Sequence, residues 1–221
     1  EFSTRSLIRK MKAEIICTTD DPADLLEHHI KLKKSFEIGV LPTFRPDNAL
    51  KTEDPEKLRK YILKLGLACG SEIKNFDNLI ESLDNRHDFF HKTGCRLSDH
   101  GLDRFYFSDC TPSEINSIFK KLLKGNTISL DETEKYKSAV MIELCKMNHA
   151  RGWTQQFHAG AMRNNSARKF RQMGADTGWD SIGIPQDAMK MSKFLRSLDN
   201  TGKLAKTILY NLNPADNEMM I

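Results

Sequence analysis

Five short apolar runs alternate along the chain with amphipathic helical stretches, and each run breaks off into a polar cluster containing Pro or Gly. That alternation admits few folds. Strands separated by helices pair in parallel through right-handed crossovers, which makes the chain an α/β protein with a parallel sheet. The runs are residues 14–19, 37–41, 94–97, 153–157 and 207–212, where β-branched Ile and Thr recur.

The intervening stretches carry the helical period. Leu58, Ile62, Leu65 and Ala68 share one face, and a second helical stretch follows Gly70 over 73–90. One crossover needs only one helix, so 53–92 reads as a helical insertion. Further faces are formed by Ile115, Ile118, Phe119 and Leu122, and by Ala188, Met191, Leu195 and Leu198. Tyr136, Val140, Leu144 and Met147 form another, which Gly152 closes. Asp20 or Asp21 is expected to cap a helix that starts at Pro22 and runs toward Leu32.

A doubly wound sheet binds near one switch point, usually through a Gly-rich first turn. Neither GxGxxG nor a Walker A sequence occurs here. Polar clusters after all five strands fit the mouth of a (β/α)8 barrel, where every strand end faces one site. A complete barrel takes eight strands and about 250 residues. With five strands in 221 residues, the expectation is one domain over 1–221 that forms an incomplete barrel.

Composition excludes several classes. Hydrophobic residues are 39%, charged residues 29% and the net charge is +4, with Lys and Arg interspersed among Asp and Glu. That is not the clustered basic surface of a nucleic-acid binder. The five cysteines are odd in number and lack CxxC spacing, which argues against a disulfide framework or zinc knuckle and for a reducing compartment. No apolar run approaches a membrane span. The first residues hold neither a signal-peptide core nor an initiator Met, so a processed or truncated chain is expected.

Among the polar clusters, Asp99 and His100 combine a carboxylate and an imidazole at a strand end, a pairing suited to acid–base work. The plainer role for the pair is a turn cap and a histidine bonded to backbone. His158 precedes Ala-Gly-Ala, where small side chains let a ligand approach, and Arg163-Asn-Asn adds donors. Arg45 lies in Pro-Thr-Phe-Arg-Pro, a rigid setting for a guanidinium that grips a carboxylate through two parallel hydrogen bonds. Asp180 lies in the Gly- and Asp-rich loop 174–183, which has the composition to fold over a site. Asp20 and Asp21 read as caps; His28, His29, His87, His91 and His149 read as solvated or core residues on helices. Together these groups suggest proton transfer on a small, acidic, polar substrate.

Six clusters taken in order resemble the uronate isomerase (glucuronate isomerase) family. They are Thr18-Thr-Asp-Asp-Pro22, Leu41-Pro-Thr-Phe-Arg-Pro-Asp47, Ser98-Asp-His-Gly101, Arg151-Gly-Trp-Thr-Gln-Gln-Phe-His-Ala-Gly-Ala-Met-Arg-Asn-Asn165, Gly178-Trp-Asp-Ser-Ile-Gly183 and Ile208-Leu-Tyr-Asn-Leu-Asn-Pro-Ala-Asp-Asn217. The resemblance implies an amidohydrolase-like barrel and a cytoplasmic bacterial enzyme. Its reactions would be the aldose–ketose isomerisations of D-glucuronate to D-fructuronate and D-galacturonate to D-tagaturonate, through an enediol. It implies Arg45, Arg163 and Asp180 at the substrate and Asp99, His100 and His158 in catalysis.

The resemblance also implies a divalent metal, usually zinc, held by a His-x-His pair on the first barrel strand and an Asp on the last. This sequence has no His-x-His, so the expected ligands lie outside it, and the chain reads as about strands three to seven. The expected partners are a uronate sugar and, for the exposed sheet edges, either another copy of the chain or chain segments outside this sequence; neither nucleic acid nor membrane is expected. Two other functions compete: a non-catalytic barrel fragment or interaction module, and a metal-dependent hydrolase of the same superfamily.

Overall fold

In the computed structural model, which describes residues 2–221, the expected strands are β1 (Ile15–Cys17), β2 (Gly39–Leu41), β3 (Leu97–Leu102), β4 (Thr154–Ala159) and β7 (Lys206–Asn211). β1 pairs with β2, β3 with β4, and β4 with β7, all parallel. Phe44 joins the two groups by forming parallel bridges to both Asp20 and Ser98. Lateral order therefore follows chain order. The sheet winds in one direction, with no reversal of the kind that makes a switch point.

The helices are α1 (Thr4–Lys10), α2 (Glu27–Ser35), α3 (Pro55–Cys69), α4 (Phe76–Thr93), α5 (Pro112–Leu123), α6 (Leu130–Ala150), α7 (Ala167–Met173), α8 (Ala188–Asp199) and α9 (Asn217–Met220). Both α5 and α6 begin with reciprocal capping boxes, Thr111 with Glu114 and Ser129 with Glu132. Helix and sheet meet in an aromatic core. Phe44 sits edge-on to Phe90, His87 and Trp153, and Phe157 lies against Phe105 and Phe194. All five cysteines are free thiols. Among the described residues no helix is long and apolar enough to cross a membrane.

Four expectations on element boundaries are corrected. The helix after β1 starts at Glu27, not near Pro22, because the aspartates before it tie down the strand ends. The Asp20 carboxylate accepts from Thr18 Oγ1 at 2.6 Å, and that of Asp21 accepts from Ala23 N and Asn48 Nδ2. The third strand runs 97–102 rather than 94–97. Gly94, with φ 116°, is instead the left-handed cap of α4. The fourth strand continues past Phe157 through His158 to Ala159. Finally, the loop 174–183 contains β6 (Ser181–Ile182), which pairs antiparallel with β5 (Ala161–Met162). The second and third shifts matter most. They place Asp99, His100 and His158 within strands, where successive side chains point to opposite faces.

Candidate functional site

The ladder registers sort the polar groups by face. Asp99 is opposite Gln156, Gly101 opposite His158, and His158 opposite Tyr210. Paired residues in a sheet share a face, so Asp99, Gln156, His158 and Tyr210 line one side. On the other side Ser98, His100, Gln155 and Phe157 meet the helices.

On the first side, groups from three successive strands converge. Arg45 follows β2 in extended chain whose backbone N–H bonds to Asp20 O at 2.9 Å. Phe44 is buried in the aromatic core, and alternation then turns Arg45 the opposite way. Arg45 Nε donates to Asp47 Oδ2 at 2.8 Å and Nη1 donates to Asp99 Oδ2 at 3.1 Å. Nη2 keeps no acceptor among the described residues, so it is free to donate to a ligand. Burial works against the guanidinium charge, but the hydrogen bond Arg45 donates to Asp47 and the charges of Asp47, Asp99 and Asp176 outweigh it and raise the Arg45 pKa. Asp176 belongs to the loop that ends at β6, which brings that loop to the same mouth.

His158 Nε2 lies 2.9 Å from Asp99 Oδ1, off the line of a hydrogen bond, and its ring stacks on Tyr210 with centroids 4.5 Å apart. Tyr210 in turn donates to Gln156 Oε1 at 3.2 Å. Asp99 is thus a buried carboxylate bracketed by a guanidinium and a half-exposed imidazole.

Gly101 makes room for this arrangement. A Cβ there would land on Arg45 Nη2 and lie 3.3 Å from Asp47 Oδ2, which also accepts from the Gly101 N–H at 2.9 Å. Gly101→Ala is therefore expected to push the guanidinium aside. The thermal midpoint should move by only a few degrees, because the displaced group is the far end of a flexible side chain. A melting curve of the variant beside the parent checks this.

Not every expected residue joins the cluster. His100 does not share a face with Asp99: it is fully buried, stacked on Phe157, with Nε2 3.0 Å from Ser98 Oγ. Residue adjacency suggested a pair, and the strand pleat separates it. Arg163 and Asp180 bond to each other across β5 and β6, just beyond the turn at Gly160 (φ 90°). Asp180 also accepts from the Asn164 N–H, and these hydrogen bonds, backbone first, hold its carboxyl below the usual range. Asp47 and Tyr210 were missed. The i,i+2 spacing of Arg45 and Asp47 in one turn was a usable signal for the first; for Tyr210 the only signal was strand parity.

The donor set does not build a metal site. Among the described residues no three His, Cys, Asp or Glu side chains converge to hold an ion. An open hollow of about 1100 Å³ lies among α4, α6 and residues 201–203, and none of the clustered groups lines it.

Comparison with known proteins bears on the same residues. The family profile described as Glucuronate isomerase matches residues 1–221. The chain is 50% identical to the uronate isomerase of Cellvibrio japonicus over 100% of this chain and 47% of that protein. The figures are the same for the uronate isomerase of Bacteroides thetaiotaomicron. Among solved structures, the uronate isomerase of Thermotoga maritima superposes with TM-score 0.92 at 34% identity, covering 98% of this chain and 48% of that one. The glucuronate isomerase of Caulobacter crescentus gives TM-score 0.87 at 25% identity, covering 97% and 44%. The chain thus spans about half the length of the curated relatives it matches.

Proposed function

The chain belongs to the glucuronate isomerase family, and from that premise we propose that it forms the central part of a uronate isomerase, an enzyme that interconverts aldose and ketose uronates. The observation that carries this is the convergence of Arg45, Asp99 and His158 from three successive strands onto one open face. An isomerase for these sugars needs two things there: a grip on the C6 carboxylate, and a group that moves a proton between C2 and C1. Arg45 supplies the grip through the donors that Asp47 and Asp99 leave free. The Asp99–His158 pair supplies the acid–base element, with Asp99 holding the imidazole ready to take up a proton and return it. Removal of the C2 proton with protonation of O1 gives the enediol. Return of a proton to C1 with loss of the O2 proton gives the ketose. Tyr210 holds the plane of the His158 ring during the transfer. Arg163 and Asp180, beside the mouth, serve the sugar hydroxyls.

The sheet is proposed to be five of the eight strands of a (β/α)8 barrel. Its one-directional strand order supports this, as do the apolar residues at its two edges. Ile15 is 60% exposed on β1, and Ile208 is 40% exposed on β7. α3 and α4 occupy the proposed insertion at 53–92. The divalent metal that the family resemblance implies, usually zinc, would polarise the substrate oxygens in a cytoplasmic enzyme, but among the described residues no cluster of His, Cys, Asp or Glu side chains comes together to hold one.

The test is direct. The complete enzyme carrying this segment should convert D-glucuronate to a ketose, read by NMR of the sugar, and the 221-residue chain should be assayed beside it. If the complete enzyme left both D-glucuronate and D-galacturonate unchanged, the isomerase assignment would be wrong.

A further inference from the structure

His100 is buried behind the open face in a file of polar side chains that no step above uses. His87 Nε2 lies 3.0 Å from Asn148 Oδ1. Asn148 Nδ2 donates to Ser98 Oγ at 2.9 Å, and Ser98 Oγ is 3.0 Å from His100 Nε2. At the far end His100 Nδ1 faces Asp47 Oδ1 across 3.9 Å. Both of these last atoms are buried and have no hydrogen-bond partner.

Donor counting assigns the tautomers. Asn148 Oδ1 only accepts, so His87 Nε2 carries a hydrogen. Ser98 Oγ accepts from Asn148, and its own proton has one remaining acceptor, His100 Nε2. The His100 hydrogen is then on Nδ1, aimed at Asp47. Burial lowers the His100 pKa against the charges of Asp47 and Asp99, with Arg45 and His158 adding to the lowering. The ring is neutral at pH 7 with one N–H to give.

We propose that His100 is a positioning residue: its Nδ1–H orients the Asp47 carboxylate, and Asp47 in turn holds Arg45 in the pose that grips the substrate carboxylate. This rests on Arg45 being the carboxylate clamp, and it replaces a catalytic role for His100. The relevant geometry is that one oxygen of Asp47 carries Arg45 Nε and Gly101 N–H while the other faces only the imidazole. Bonded by two donors at one oxygen and facing an N–H at the other, the carboxylate loses freedom to rotate and release the guanidinium.

The experiment uses the complete enzyme and three variants: His100→Asn, His100→Gln and His100→Phe. An asparagine amide can present N–H near the imidazole Nδ1 position, glutamine presents it near Nε2, and phenylalanine keeps only the stack on Phe157. With D-glucuronate as substrate, the Asn variant should keep KM within about threefold of the parent. The Gln and Phe variants should raise KM at least about tenfold, with kcat nearly unchanged, as expected for loss of binding rather than of chemistry. Equal KM for the Asn and Gln variants overturns the proposal, and so does a loss confined to kcat. If the Phe variant fails to fold, the Asn–Gln comparison still decides. A second readout is independent of turnover. In 15N-histidine-labelled enzyme, His100 should show the Nδ1–H tautomer, and an Nε2–H tautomer overturns the proposal. A parent enzyme that ignores D-glucuronate yet shows Nδ1–H on His100 places the failure in the assigned function instead.

Discussion

If the complete protein has the proposed isomerase activity, Arg45→Ala in it is expected to lower kcat/KM for uronate by about 10²–10³-fold. The side chain does two jobs at once. It offers the free donors of its guanidinium to the substrate carboxylate, and it neutralises Asp47 and Asp99, which it bonds at 2.8 and 3.1 Å. Truncating one partner of a hydrogen-bonded charge pair costs about 2–5 kcal/mol, much of it from the charge left unpaired. Arg45→Lys should recover little, because a point charge on a flexible stem cannot span two carboxylates and still present a planar fork. Steady-state kinetics on D-glucuronate measures both variants. Activity within threefold of the parent in the Ala variant would remove Arg45 from the site.

Mild acid should destabilise the fold through His87. Burial against Trp153, with ring centroids 3.6 Å apart, pushes this imidazole down to about 3 from its ordinary 6.5. As the pH falls through 6.5 the unfolded chain takes up a proton that the folded chain refuses. Stability is therefore full above pH 6.5 and is lost progressively toward pH 3. Between pH 7 and 4.5 the expected loss is about 3 kcal/mol, and His100, lowered by burial in the same direction, adds to it. Glu37 and Glu114, pulled down to about 2 from 4.5, begin to add a loss of their own only as the pH falls toward 4.5, at the lower edge of that window, so the slope between pH 7 and 5 reports the histidines. His87→Gln keeps an N–H for Asn148 Oδ1 without a titrating ring, so it should flatten most of the slope. Urea denaturation at pH 7, 6, 5 and 4.5 reads the difference. Parallel slopes in the parent and the variant would show that His87 does not drive the effect.

Part of the cluster at the mouth is legible in the sequence itself. Arg45 could be singled out because two prolines stiffen its segment, and His158 because small residues follow it. The faces could not be read that way. Asp99 and His100 are neighbours in the chain, and only after β3 is seen to run through them does the pleat send one to the mouth and the other to the helix layer. The strand was hidden because Ser98, Asp99 and His100 are polar; the burial of Ser98 and Asp99 is met by Asn148 and Arg45, which lie far along the chain. The false helix start at Pro22 has a similar origin. Asp20 and Asp21 have the chemistry of caps, but Thr18 and Asn48 claim their carboxylates.

By itself the sequence determined the alternation of strands and helices, the family to which its clusters belong, and which residue types stand near each strand end. Those are properties of local period and composition, carried by residues within a few positions of one another. Only the tertiary structure decided which groups meet. Asp47 takes the Gly101 N–H 54 positions away, and Tyr210 stacks on His158 from β7. Such contacts depend on strand register and on the two-residue alternation of faces, and a shift of one residue in β3 would have exchanged Asp99 for His100 at the mouth.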